Sequence, residues 1–282
     1  MKGSLLLLPL LLLNPLLFVG SSAMHRRPAE VFPPGETLVY EVRWEPPIWI
    51  FFIPPITAGE ILAHFQEQYR FDERAAHRIT ATAVSSGPFP RLTGITVNDS
   101  FESVVDAERF CSMKMTKKLR EGKRQRDIFL TFDNRTRRGR YEAFDVSKNP
   151  RIQLKNEDLP NLPECVQDVL SAIFFTRLQE LAPGIQFPIA IGDDGRVKPI
   201  EVKVLQKEPV DVLGRRIPAL KLEAKSVFGG LFKEGGSFYV WFSDDVQKMP
   251  LQFEAKVKLG KVSGSLKQIK RESGTTDTSK TH

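Results

Sequence analysis

Hydrophobic and polar residues alternate along most of this chain, and that period of two predicts strands. Leu38, Tyr40, Val42 and Trp44 alternate with more polar neighbours over 37–44. Similar runs cover 58–65 and 77–85, with a polar turn around 70–74 between them and a break at Gly87-Pro88-Phe89-Pro90. Further strands are expected at 100–106, 109–119 and 123–132, the last two folded back across Glu121-Gly122, and then at 140–144. The polar stretch 145–160 reads as a lead into the next element. Beyond residue 184, runs at 187–191 and 197–206 flank the turn Gly192-Asp193-Asp194-Gly195, and 210–212 and 216–224 flank Leu213-Gly214. A terminal meander at 237–242, 249–257 and 261–269 takes its turns from Ser243-Asp244-Asp245 and Gly260.

One stretch has a different period. Val166, Val169, Leu170, Ile173, Phe174, Leu178 and Leu181 follow a three-then-four spacing that predicts a helix over 162–182. Asn161 as N-cap, Glu164 as its capping-box partner, Pro163 in the first turn and Pro183-Gly184 as the stop support those ends. Phe175 beside the stripe makes the helix apolar over more than half its circumference, so it needs surroundings on several sides. The expected fold class is therefore mainly β: a large curved antiparallel sheet or half-barrel of about ten to thirteen strands wrapped around one central helix.

The first residues add a compartment. Met1-Lys2, an apolar run from Leu5 to Val19, and Ser21-x-Ala23 are the three parts of a secretory signal peptide. Pro9, Asn14 and Pro15 interrupt the run and weigh against a membrane anchor. The expected organisation is a signal peptide at 1–23, a flexible lead-in at 24–34, a single β-rich exported domain at 35–271 and a disordered tail at 272–282. The protein is expected to be exported, periplasmic and soluble after cleavage. In an oxidising compartment Cys111 and Cys165, the only cysteines, are candidates for a disulfide, with two buried thiols as the alternative.

A net charge of +7 argues at most for contact with anionic surfaces, and after export an anionic membrane or glycan is a nearer neighbour than nucleic acid, which is not an expected partner. The cations between Lys114 and Arg140 lack interleaved aromatic platforms and read as a solvated strand face. The segment Pro46-Pro47-Ile48-Trp49-Ile50-Phe51-Phe52-Ile53-Pro54-Pro55 is too apolar for an ordinary loop. It reads either as a lid on the core or as a lip, formed by Ile48, Trp49, Ile50, Phe51, Phe52 and Ile53, that touches lipid or an apolar ligand.

Candidate chemistry is sparse. There is no zinc-binding array, nucleophile elbow, phosphate loop or dinucleotide fingerprint, so no metal, cofactor or catalytic residue is expected. Asp193-Asp194 and Asp244-Asp245 read as turn formers. Asp168, Ser171 and Arg177 flank the apolar stripe and are either structural partners of an enclosing strand or polar groups at one end of a ligand cavity.

Several short motifs, taken in order, resemble a bacterial exported family known as domain of unknown function three-one-zero-eight. They are Gly35-Glu36-Thr37-Leu38-Val39-Tyr40-Glu41-Val42, Thr57-Ala58-Gly59-Glu60, Phe101-Glu102-Ser103-Val104-Val105-Asp106, Val166-Gln167-Asp168-Val169-Leu170-Ser171-Ala172, and Trp241-Phe242-Ser243-Asp244-Asp245 with Pro250 beyond. The resemblance implies no particular reaction. Its β-rich shape is similar to the half-barrel of periplasmic lipoprotein carriers, and the segment 46–55 is longer and more apolar than the family's usual connection. The first expectation is a non-enzymatic module that binds a lipid-like envelope component in the half-barrel. The alternatives are an envelope interaction protein with a filled core and, behind both, an envelope glycan or lipid hydrolase. A continuous apolar cavity of at least about 300 Å³ between helix and sheet separates the first from the second.

Overall fold

The computed structural model describes residues 26–47, 52–225, 236–257 and 260–271. The expected signal peptide, the expected tail and Ile48 to Phe51 of the lip lie outside the described residues.

The chain forms β1 (Thr37–Glu45), β2 (Ile56–Phe71), β3 (Arg74–Ser85), β4 (Asn98–Asp106), β5 (Ser112–Glu121), β6 (Arg124–Asp133), β7 (Arg138–Asp145), β8 (Ile152–Leu159), β9 (Gln186–Asp193), β10 (Arg196–Val212), β11 (Arg215–Lys225), β12 (Ser237–Ser243), β13 (Pro250–Val257) and β14 (Gly260–Lys270). All belong to one 14-stranded antiparallel sheet in the order β8-β7-β6-β5-β4-β3-β2-β1-β14-β13-β12-β11-β10-β9. The first and last strands therefore pair in the middle, each half is a meander outward from them, and β8 and β9 are the free edges of an unclosed sheet. Three short helices complete the described fold: α1 (Pro28–Val31), α2 (Phe89–Thr93) and α3 (Ser171–Arg177).

Twisted open sheets of this width curl. Contacts across the interior show the curling: in strand order β6 and β9 are near opposite ends, yet the Phe132 ring lies over Gly192, and Lys117 of β5 pairs with Asp193. The β-rich, antiparallel expectation holds, but the strand number is higher than expected. The extra strand is β8, in the stretch read as a polar lead. Ile152 to Asp158 are all exposed, so neither face is buried and no alternation marks the strand. In the opposite direction, the runs at 197–206 and 210–212 merge into one strand, β10, carried through an irregularity between Val204 and Gln206.

The expected helix at 162–182 shrinks to α3, seven residues long. Asn161 has a positive φ of 55° and does not cap a helix there. Residues ahead of α3 are drawn into the sheet instead: the Gln167 N–H donates to the Ala190 carbonyl at 2.8 Å, and the Gly192 N–H donates to the Gln167 carbonyl at 2.8 Å. The Ser112 N–H donates likewise to the Val166 carbonyl. These bonds to β9 and β5 satisfy the same backbone groups a helix would use, so the helix starts only after them.

Most positions of the apolar spacing are nonetheless buried: Val166, Leu170, Phe174, Leu178 and Leu181 are buried and Ile173 is half-buried, whereas Val169 is exposed. Leu162, Val166, Leu170, Phe174 and Leu178 join the core cluster of β2 to β8 with Phe65, Ile79, Met115 and Leu130. Ala172 and Leu181 join the cluster of β9 to β12, and Ile173 and Phe175 pack against both. The segment thus packs between the two halves of the sheet. Within the lead-in at 24–34, Val31 and Phe32 are buried in the first cluster and the Arg26 N–H donates to the Leu178 carbonyl.

Candidate functional site

Of the three polar residues singled out around α3, the structure brings two together. The backbone N–H of Asp168 donates to the Ser171 hydroxyl at 2.9 Å, and the Ser171 N–H returns a bond of 2.9 Å to Asp168 Oδ1. Oδ1 also accepts from the Leu170 N–H, and Oδ2 accepts from the hydroxyls of Ser103 at 2.5 Å and Ser112 at 2.6 Å. Asp168 is fully buried, and four donors converge on its carboxylate. A buried charge is tolerable only with such a set of partners. The arrangement pins the entrance of α3 to β4 and β5, and its lone pairs are already taken.

Arg177 lies at the other end of α3 and does not join them. Its guanidinium makes a two-point pair with Glu36, Nη1 to Oε2 at 2.5 Å and Nη2 to Oε1 at 3.0 Å, with both side chains wholly buried. Nε donates to the Gln247 carbonyl at 3.1 Å. The guanidinium carbon sits 4.6 Å from the Phe32 ring centre and 5.5 Å from that of Phe174, within range of cation–π attraction. Nearby Tyr40 donates to the Pro250 carbonyl at 2.7 Å. Burial pushes the Tyr40 phenol far above its usual range, while the Arg177 charge works in the opposite direction. Glu36 was visible in the sequence only as part of a strand-opening Gly-Glu; nothing local marked it as a buried ion-pair partner.

Two clefts lie elsewhere. One of about 720 Å³ opens at the β2–β3 hairpin against Tyr69, Arg70 and Glu73, and one of about 340 Å³ runs beside Arg27, Glu108, Phe110 and Leu178. Glu67, His77 and Ala107 line both. His77 Nδ1 bonds the Glu67 carbonyl, an acceptor only, so Nδ1 is the donor in that bond. Nε2 is buried and has no protein partner, and the ring packs against Phe65 and Phe110. Ser171, His64 and His77 make no nucleophile–base contact: their bonds go to Asp168, to Thr37 Oγ1 at 2.8 Å and to Glu67 respectively.

The turn carboxylates do more than form a turn. Asp193 pairs with Lys117, Asp194 accepts from the Tyr141 hydroxyl at 3.3 Å, and Lys155 lies 3.6 Å from Asp194. Burial and the two aspartates raise the Tyr141 phenol well above its usual range. The β9–β10 turn is thereby clasped to β5, β7 and β8 across the open side of the sheet. Lys117 itself is only 8 % exposed, so the basic stretch 114–140 is not one uniform solvated face. Within it Arg120 pairs with Asp127, Arg124 with Glu121 and Arg140 with Asp158.

Cys111 and Cys165 form the disulfide, Cα to Cα 5.1 Å, and tie the start of β5 to the segment leading into α3. Of the lip, Phe52 is 74 % exposed and Ile53 half-buried. Among the described residues no group of His, Cys, Asp and Glu has the arrangement of a metal site, and no helix is long and apolar enough to cross a membrane.

Comparison with solved structures gives a fold likeness. A β-barrel-like protein of domain of unknown function DUF1849 from Brucella abortus superposes with a TM-score of 0.54 at 10% identity, over 86% of this chain and 100% of that one. A Bacteroides fragilis protein with a YmcC-like fold, inferred to be exported, aligns at a TM-score of 0.36 and 9% identity over 88% of this chain and 100% of its own. No curated protein matches the sequence. The model of the family described as protein of unknown function (DUF3108) matches residues 39–267, and the chain belongs to that family.

Proposed function

We propose that this chain is a non-enzymatic, exported interaction module of the cell envelope, a curled β-sheet whose interior is occupied by its own side chains. One observation supports this reading above the others: the space between α3 and the sheet holds the Arg177–Glu36 pair, the four-donor Asp168 carboxylate and the rings of Phe32, Phe65 and Phe174. Groups so fully satisfied leave a lipid chain nothing to replace without stranding a buried charge. Partners then meet the outside of the module. The leader sequence supports export, and the bonds made by Ser171, His64 and His77 favour a non-catalytic role.

A second reading, a carrier of a lipid-like component, draws support from the smaller cleft, which reaches the core residues Phe110 and Leu178. Native mass spectrometry of the exported protein, with organic extraction and lipid analysis, separates the two. The filled-core reading expects the mass of the bare processed chain and no fluorescence change with apolar dyes. Stoichiometric co-bound lipid overturns it in favour of the carrier.

A further inference from the structure

The β1–β2 and β3–β4 connections turn at the same end of the sheet, and they expose apolar side chains there. Phe52 is 74 % exposed, Leu92 of α2 55 %, Val84 at the end of β3 45 %, and Ile95 between α2 and β4 39 %. These segments are neighbours: the Ser86 N–H donates to the Ala58 carbonyl, the Ser85 N–H to the Val97 carbonyl, and the Phe89 ring meets Trp44 edge-on at 5.6 Å. Several exposed apolar groups gathered on adjacent connections mark a binding surface, where a scattered one would mean nothing.

Charge at this end has one sign where it is not already paired. Between Pro46 and Gly59 the sequence has no charged residue, and between Val84 and Val97 it has only Arg91. The β5–β6 turn lies alongside, its Gly122 N–H donating to the Thr96 carbonyl, and it presents Lys123. The nearest surface carboxylates are paired, Glu45 with Lys261 at 2.7 Å, Glu121 with Arg124 at 2.8 Å and Glu60 with Lys267 at 3.7 Å, while Asp99 is buried away from the surface and accepts from the backbone N–H of Arg120. Exposed apolar tips beside unopposed cations match the two components of peripheral binding to an anionic bilayer, shallow insertion and headgroup attraction.

We propose that this end of the sheet, through Phe52, Val84, Leu92 and Ile95 with Arg91 and Lys123, docks onto an anionic lipid bilayer surface. The inference rests on the reading of an interior already filled, so the lipid is met as a surface and not taken inside. The apolar groups come from separate short connections and not from a groove, which suits a fluid surface better than the fitted pocket of a protein partner.

The test is co-sedimentation of the leader-free protein with vesicles of phosphatidylcholine alone or mixed with phosphatidylglycerol. Binding is expected only to the mixed vesicles, weakening as salt rises and falling roughly tenfold in the Phe52→Ser/Leu92→Ser double variant. Arg91→Glu is expected to weaken it too, and an unchanged Tm shows that these exposed substitutions leave the fold intact. No binding to mixed vesicles, or binding that the variants do not alter, overturns the proposal. So does a concentration-dependent dimer that the double variant breaks, since the end would then meet a second copy. Lipid-free protein that ignores vesicles refutes the docking alone, whereas co-extracted lipid refutes the filled interior.

Discussion

Arg177 and Glu36 stand 141 positions apart in the chain and close a two-point ion pair with neither side chain exposed. The pair joins the end of α3 to the residue that opens β1, and through Arg177 Nε to the β12–β13 connection. Removing one member strands the other charge in the core, a loss of about 3 to 5 kcal/mol. Arg177→Met is therefore expected to destabilise by that amount in urea unfolding. Glu36→Leu combined with Arg177→Met is expected to recover much of the loss, because no charge is left behind. A double variant as unstable as the sum of the two singles would show that the side chains act independently.

The disulfide closes a loop of 54 positions between the start of β5 and the approach to α3. In the chain-entropy account a cross-link of that span stabilises by about 4 kcal/mol. Paired Cys111→Ser and Cys165→Ser substitutions are expected to lower the urea midpoint accordingly, and a reductant is expected to shift the midpoint of the parent protein but not that of the double variant. The Ser112 to Val166 and Gln167 to Phe110 bonds run alongside the disulfide, so the segment is expected to keep its native position at low urea.

How much of this was legible in the sequence differs by element. Alternation located the strands whose two faces differ in burial, and it missed β8, where both faces meet solvent. The spacing from Val166 to Leu181 marked the buried face of the segment except at the exposed Val169, but not its backbone state. A period set by packing against a curled sheet looks like a helix until the Gln167 backbone is seen bonding to β9. Asp168 and Ser171, three apart, could be paired from the sequence. The partners of Arg177 and of Asp193 could not, since each lies across the fold in a segment whose local pattern serves a strand or a turn.

Asp99 gives a pH signature. It is 6 % exposed, and burial raises its carboxyl above the ordinary value of 3.8, the Arg120 N–H bond working the other way. A carboxyl with a raised folded pKa holds its proton longer in the folded state than in the unfolded one. Its contribution is nil below the unfolded pKa, grows unfavourable as pH rises above it and levels off once pH passes the folded value. Asp99→Asn keeps an oxygen to accept from Arg120 and drops the charge. The variant is expected to match the parent in urea stability at strongly acid pH and to exceed it at neutral pH, the gain appearing above pH 3.8 and then levelling off. A gain that is largest in acid would mean that the carboxylate is a net stabiliser.

The two halves of the sheet approach each other closely at Gly192, where a single methyl group tests the curling itself. A Cβ built there would stand 2.5 Å from Phe132 Cζ, 2.7 Å from Cε1 and 3.3 Å from Val166 Cγ1. Phe132 is 3 % exposed and sits in the core cluster, so its ring has little room to retreat. Overpacking of this kind costs about 1 to 3 kcal/mol. Its effect should be directional as well, because Gly192 immediately precedes Asp193, whose carboxylate reaches Lys117, and lies two residues before Asp194, which receives the Tyr141 hydroxyl. Gly192→Ala is therefore expected to lower the urea midpoint and to speed amide exchange at the β9–β10 turn more than at the β1–β14 pairing. Uniform acceleration across the sheet would mean that the contact supports global stability without clasping the open side.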